Sequence, residues 1–367
     1  MDRGPPVNQP ALKLTTYFGE RQRAVADVRR RGFLADAMLD LFDTREIAAS
    51  VMLRGIASFG PRHVLRTDES LSLSEDPPVA IAAVDVESKI SGLVDEVVAM
   101  TGHGLITLER ARLAGGDDPL DVGADDAVKL TVYMGRQERI GGLPAYRAVC
   151  DLLYRQGFSG GAVFLGVDGT AHGERYRAAF FSRNVNVPLM IISVGTAAQV
   201  STVVAELSAV APRALLTVER VRLCKRGGEL FARPHRLPDT DSQGRPLWQK
   251  LMVHTSEATG HGGVPIHRAL VHQLLESGMA HGATVLRGIW GFHGDHEPHG
   301  DKLFQLTRRM PVVTIIIDTP EWVARSFEIV HELTADHGLV TSETVPAVVT
   351  IAGPDRHGGT DLARHNY

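Results

Sequence analysis

Three stretches decide how this chain folds: KLTTYFGERQR at 13–23, KLTVYMGRQER at 129–139 and KLMVHTSEATG at 250–260. One opening recurs three times, so the chain reads as a triplication, and the fold of one unit comes before the fold of the whole. Each unit later carries an apolar run opened by proline: PVAIAAVD from Pro78, PLMIISVG from Pro188 and PVVTIIID from Pro311. Units one and two close alike, with LITLERARL ending at Leu113 and LLTVERVRL ending at Leu223; unit three closes with LVTSETVPAVVTI. The expected units are 11–114, 128–224 (divergent) and 247–352, with flexible tails at 1–10 and 353–367. Between them lie GGDDPLDVGADDA, acidic and glycine-rich, and RGGELFARPHRLPDTDSQGRP, rich in proline and polar residues, both of linker character.

The order of elements inside a unit follows from period. Lys-Leu-Thr-Thr-Tyr alternates and carries threonine and tyrosine, as a strand does. GGLP and GGVP then place Pro144 and Pro265 where a first helical turn tolerates proline, and Ile266, Leu270 and Leu274 mark a stripe at spacing four. SVMLRGIA, GAVFLGV and ATVLRGIW read as second strands, the proline-opened runs as third strands. A second helix is marked by Ile90, Val94 and Val97, by Val200, Val203 and Leu207, and by Val323, Phe327 and Val330. A last strand closes each unit. That order, β-α-β-β-α-β, predicts an α+β fold of three tandem ferredoxin-like domains, each a four-stranded antiparallel sheet with both helices on one face. The strands are apolar on both sides, so the bare faces are expected to pack on one another as an intrachain pseudo-threefold trimer, a single chain with three pseudo-subunits.

Composition bounds the function. With 367 residues, 44% hydrophobic and 22% charged, the chain is that of a globular protein with several cores. No apolar run approaches the roughly 20 residues that span a bilayer, and the start MDRGPPVNQP lacks a secretory stretch. Two cysteines, Cys150 and Cys224, form no framework, which fits a cytoplasmic location. A net charge of −4 argues against nucleic-acid binding driven by bulk charge. No nucleophile elbow, P-loop or HExxH motif is present, so no enzyme activity is indicated.

KLTTYFGE, the VMLRGI and VLRGI of 51–56 and 285–289, LSLSEDPPVAI at 71–81, and GLIT or GLVT before the last strand resemble the domain-of-unknown-function 190 family. The resemblance covers each unit nearly end to end and is weakest in unit two, where Leu165 stands in the place of Arg54 and Arg287. That family is similar to the PII signalling proteins and the CutA proteins, which are trimers of ferredoxin-like subunits. The resemblance implies regulation by ligand binding, with a nucleotide in clefts between subunits and a long loop between the second and third strands that contacts a partner. It also implies a membrane ion channel or transporter as partner, of the fluoride-exporter type.

Candidate sites carry two readings each. Arg54-Gly55 and Arg287-Gly288 end the second strands, where arginine forks a phosphate and glycine admits a close ligand, or where the arginine makes an ion pair supporting the hairpin. Arg110 with Arg112, and Arg220 with Arg222, share a sheet face; they read as a protective charged edge, or, through the PII resemblance, as phosphate ligands in the neighbour's cleft. Lys13, Lys129 and Lys250 recur on every first strand, as anion ligands or as side chains snorkelling at the sheet end. Gly102 and Gly104 offer a small anion nest. The stretch GFHGDHEPHGDK at 291–302 puts His293, Asp295, His296 and His299 in the long connection of unit three, as ligands for zinc or copper or as a solvated loop. His63 and His296 each stand fifteen residues before the strand-opening proline, and His172 sixteen, which leaves a proton-sensing role open. Two function classes follow: a regulatory module binding a small anion or adenine nucleotide, and a CutA-like metal-binding protein.

Overall fold

The computed structural model describes residues 9–25, 32–61, 63–67, 76–115, 123–177, 186–293, 296–300 (backbone) and 310–365. Unit one runs β1 (Pro10–Gly19), α1 (Leu34–Thr44), β2 (Ala49–Phe59), β3 (Pro78–Val86), the short helices α2 (Glu87–Ser91) and α3 (Val94–Met100), and β4 (His103–Ala114). Unit two runs β5 (Ala127–Gly135), α4 (Ala145–Arg155), β6 (Gly160–Leu165), β7 (Pro188–Thr196), α5 (Ala197–Val210), β8 (Leu215–Arg220) and β9 (Arg222–Arg226). Unit three runs β10 (Trp248–Ser256), α6 (Ile266–Ser277), β11 (Ala283–Arg287), β12 (Trp290–His293), β13 (His296–Gly300), β14 (Pro311–Asp318), α7 (Pro320–Leu333), β15 (Leu339–Val345), and a closing hairpin of β16 (Ala347–Ala352) and β17 (Asp355–Gly358).

All three sheets share one antiparallel order, second strand, third, first, last: β2-β3-β1-β4, β6-β7-β5-β8 and β11-β14-β10-β15. Alternation along each strand sorts the apolar residues into two layers. In unit one, Leu12, Leu14, Val79 and Ile81 pack under Met38 and Phe42 of α1 and Val94 and Val97 of α3. The alternate residues Val51, Leu53 and Ala80 point the other way. There they meet Phe164 and Met190 of unit two and Met252 and Ile315 of unit three in one shared core. Each sheet therefore buries both faces: one under its helices, one against the other two sheets.

Backbone pairing between units closes this arrangement. Beyond Gly55, β2 pairs with β11 of unit three, placing Ser58 opposite Thr284. Strand β12 of unit three pairs with β6 of unit two, and Ala171 of unit two lies opposite Ala49 of unit one. A second set of pairings runs the other way round: β4 with β8, β9 with β15, and β16 back onto β4. Both sets are cyclic, so the strand ends that extend past one sheet find partners on the next.

The first crossing needs glycine. A Cβ on Gly288 would lie 2.7 Å from Cγ of Pro311 and 2.8 Å from the Val163 carbonyl oxygen of unit two. Gly55 and Gly166 occupy the same position in their units, the first against the Val285 carbonyl of unit three and the second against Val51 of unit one. Close approach of two backbones sets the residue type here.

The expected flexible tail from 353 takes a different form over 353–365. After the β16–β17 hairpin the chain docks: Ala363 is buried, its N–H donates to the Pro346 carbonyl, and its own carbonyl accepts from Arg110 Nη1 at 2.8 Å. Asp241, in the linker before unit three, accepts from the Arg364 N–H through Oδ2, and from the Gln243 and Arg245 N–H groups through Oδ1. Polar composition suggested fraying; fixed arginine and aspartate partners satisfy the tail's backbone instead.

Replacing Gly288 with valine forces the crossing strands apart. We expect a loss of about 1–3 kcal/mol, the usual cost of overpacking a filled core, measured as a lowered denaturant midpoint, whereas Gly141→Ala at an open turn (nothing within 4 Å of an added Cβ) stays in the range set by its left-handed φ of 57°.

Candidate ligand sites at the unit junctions

At the centre of the molecule six charged side chains alternate in a closed ring. Lys13 faces Glu109 across the β1–β4 ladder, Lys129 faces Glu219 across β5–β8, and Lys250 faces Glu343 across β10–β15. Each ammonium also reaches the glutamate of the next unit. Lys13 Nζ stands 3.1 Å from Glu109 and 2.6 Å from Glu219; Lys129 pairs with Glu219 at 2.9 Å and with Glu343; Lys250 pairs with Glu343 at 2.9 Å and with Glu109. All six are buried. Burial pushes the carboxyls up, but the flanking ammoniums outweigh it and hold Glu109 and Glu343 below the usual carboxylate range. Burial likewise opposes charge on the lysines, and for Lys13 and Lys250 the two glutamates beside each prevail. These lysines therefore neither snorkel to the surface nor line an open cleft. Glu109, Glu219 and Glu343 are the one group of three possible metal ligands that converges among the described residues, and three ammoniums stand between them.

The arginines divide by position. Arg54 grips Glu20 through Nε at 2.9 and 3.0 Å and through Nη2 at 2.5 Å, and Arg287 Nη2 lies 2.5 Å from Glu257. Glu20 and Glu257 occupy one position of the repeated motif; unit two has Arg136 there, facing a strand that ends in Leu165 in place of arginine. The pair has thus been exchanged at both positions together. Unit two's connection is held otherwise: Arg175 bridges the buried Asp168 at 2.7 Å and Asp40 of α1 at 2.5 Å. At the other end of the sheets Arg110 binds the tail at Ala363, and Arg222 Nη1 lies 3.1 Å from the His235 ring of the second linker. Arg220 is exposed and Arg112 half-buried. Gly104 has φ of 144° where an added Cβ would lie 2.5 Å from the Tyr17 carbonyl, and the Gly102 carbonyl accepts from the Gly353 N–H.

The histidines of unit three lie on a hairpin. His293 is opposite His296 and Gly291 opposite His299 in the β12–β13 ladder; Asp295 lies outside the described residues. His63 stacks on Phe59 with centroids 6.4 Å apart, and His172 Nε2 lies 3.9 Å from Glu138. His293 lines a small cavity between units two and three together with His254 of β10.

The domain-of-unknown-function 190 family model, described as an uncharacterized ACR, matches three times, at 11–113, 127–223 and 248–347. The chain belongs to this family. A curated relative, the UPF0166 protein of Aquifex aeolicus (strain VF5), is 38% identical over 99 residues, which is 27% of this chain and 90% of that protein. That relative is one unit long, so the present chain carries in tandem what the relative carries once.

Reading the repeats located the lysines of this 190-family chain but missed their partners. Glu109 and Glu219 stood in the quoted ERAR and ERVR motifs, where the arginines drew attention, and Glu343 has the same place in unit three. Recurrence of an acid at one position in all three units was the available signal. Removing one ammonium leaves two buried carboxylates short of a partner, so Lys129→Met is expected to cost about 3–5 kcal/mol, read by urea denaturation. The lowered carboxyl values of Glu109 and Glu343 make their contribution complete above the unfolded value near 4.5 and progressively lost as pH falls below it. Acid denaturation should therefore begin below pH 4.5 in the wild type and show a shallower pH dependence in a Glu109→Gln variant.

Proposed function

We propose that this 190-family chain is a regulatory binding protein of PII-like design: a fused ferredoxin-like pseudo-trimer that takes a small anion, such as an adenine nucleotide, at its unit junctions and signals through its long connections. What supports this reading best is the position of Arg54 and Arg287. Their side chains, 57% and 37% exposed, stand at the root of the connections in units one and three, one residue before the glycine where the strand crosses to its neighbour. A phosphate or carboxylate that draws the guanidinium away from Glu20 or Glu257 acts directly on that crossing, and a bidentate anion is the ligand a planar fork prefers. Arg110 and Arg222 already hold the tail and the second linker, so the ligand is placed at the connection roots instead. Leu165 and the Arg175 clamp leave unit two without an equivalent. The proposed setting is the cytoplasm, with a membrane ion channel or transporter as the partner met by the connections; no helix among the described residues is long and apolar enough to cross a membrane.

Native mass spectrometry of the full chain with ATP, ADP or AMP tests this. We expect at most two equivalents per chain, one after either Arg54→Ala or Arg287→Ala, and none in the double variant. Three equivalents, or binding that survives the double substitution, would contradict it.

A further inference from the structure

The aspartate that ends the proline-opened strand of unit three has gained a partner that its counterpart in unit one lacks. Asp85 and Asp318 stand eighth in those runs, on β3 and β14, and unit two has Gly195 there. Both carboxylates do the same backbone work. Asp85 accepts the Ala48 N–H through Oδ2 at 2.9 Å and the Val86 N–H through Oδ1 at 2.7 Å. Asp318 accepts the His281 N–H through Oδ2 at 2.9 Å and the Thr319 N–H through Oδ1 at 2.8 Å. Alanine serves at this place in unit one, so the fold does not require an imidazole at 281. Yet the His281 ring is tied down. Its Nδ1 lies 3.0 and 3.1 Å from the two Asp318 oxygens, and its centroid lies 4.7 Å from that of Trp322 in a T-shaped contact. Trp322 occupies the place of Lys89, whose ammonium faces Asp85 at 3.2 Å in unit one. The two positions differ together: an imidazole has replaced the ammonium as the carboxylate's side-chain partner.

A carboxylate only accepts hydrogen bonds, so the neutral ring carries its proton on Nδ1 and its lone pair on Nε2. Nδ1 and Nε2 point to opposite sides of an imidazole. The Asp318 side chain is 1% exposed and that of His281 52%, so the lone pair is directed away from the buried carboxylate. A carboxylate placed in this way fixes the tautomer of the ring and raises its basicity.

We propose that His281 is a phosphoryl-acceptor site, modified at Nε2 by a donor of the acyl phosphate or phosphoramidate class. The Nε2 lone pair forms the N–P bond as the donor's P–O or P–N bond breaks, and the leaving carboxylate or amine keeps that bond's electron pair. The product ring retains its Nδ1 proton and is cationic, and Asp318 balances that charge. The site shares no residue with the anion site proposed above and lies before β11, at the opposite end of that strand from Arg287.

The test uses the intact chain and potassium phosphoramidate. Peptide mapping and phosphorus NMR of the wild type should show one N-linked phosphoryl group, formed on His281 ahead of the other histidines. Nitrogen-15 NMR should show the Nδ1–H tautomer of His281, a readout that needs no variant. His281→Ala copies the residue of unit one and so preserves the fold; it should abolish the fast labelling. Asp318→Asn should slow labelling of His281 by roughly 10–100-fold, the usual effect of removing a partner that orients an imidazole. Labelling spread evenly over the histidines, an Nε2–H tautomer, fast labelling that survives His281→Ala, an unchanged rate in a folded Asp318→Asn variant, or no labelling at all would each overturn the proposal.

Discussion

Three lysines and three glutamates, closed head to tail where three sheets meet, form the interaction on which the remaining structure turns. A single buried ion pair rarely adds net stability, because desolvating two charges offsets their attraction. A closed ring changes the balance: each charge has two neighbours of opposite sign, one from its own unit and one from the next. Every unit brings one lysine and one glutamate, so only the assembled set of three satisfies all six. The ring runs in the same sense as the pairings of β4 with β8, β9 with β15 and β16 with β4. Charge and backbone thus select the same neighbour, a consistency across levels that favours one native arrangement.

Fusion has consequences for the junctions. In an assembly of identical one-unit chains, every junction is the same by symmetry. Here each is encoded separately and the three have diverged: Arg54–Glu20 and Arg287–Glu257 at two connection roots, the Arg175 clamp in unit two, and histidine for tyrosine in unit three. The linker and tail add a further asymmetry by docking on Arg222 and Arg110. One chain can in this way hold a repeated scaffold with junctions that are no longer equivalent.

The repeated strands, the prolines opening the third strands and the helix stripes were legible because hydrophobic period reports local structure directly. The lysines were legible as recurrences, yet their role depended on register: only the cross-strand pairing places Glu109 opposite Lys13, and only cyclic closure brings Glu219 beside it. Arg54 was visible, while the Glu20 that holds it lies 34 positions earlier, half-buried in a turn. The docking of 353–365 had no apolar signature to read, since buried Ala363 is the anchor in a polar stretch.

The closure of unit three onto unit one tests the account most directly, because nothing in chain connectivity requires it. Thr350 of β16 lies opposite Leu105 of β4, and both are partly exposed. Cysteines at these two positions, with Cys150 and Cys224 buried, should oxidise to an intrachain disulfide in dilute solution and raise the melting temperature. A chain that stays reduced, or crosslinks only between molecules, would show that the ring is open.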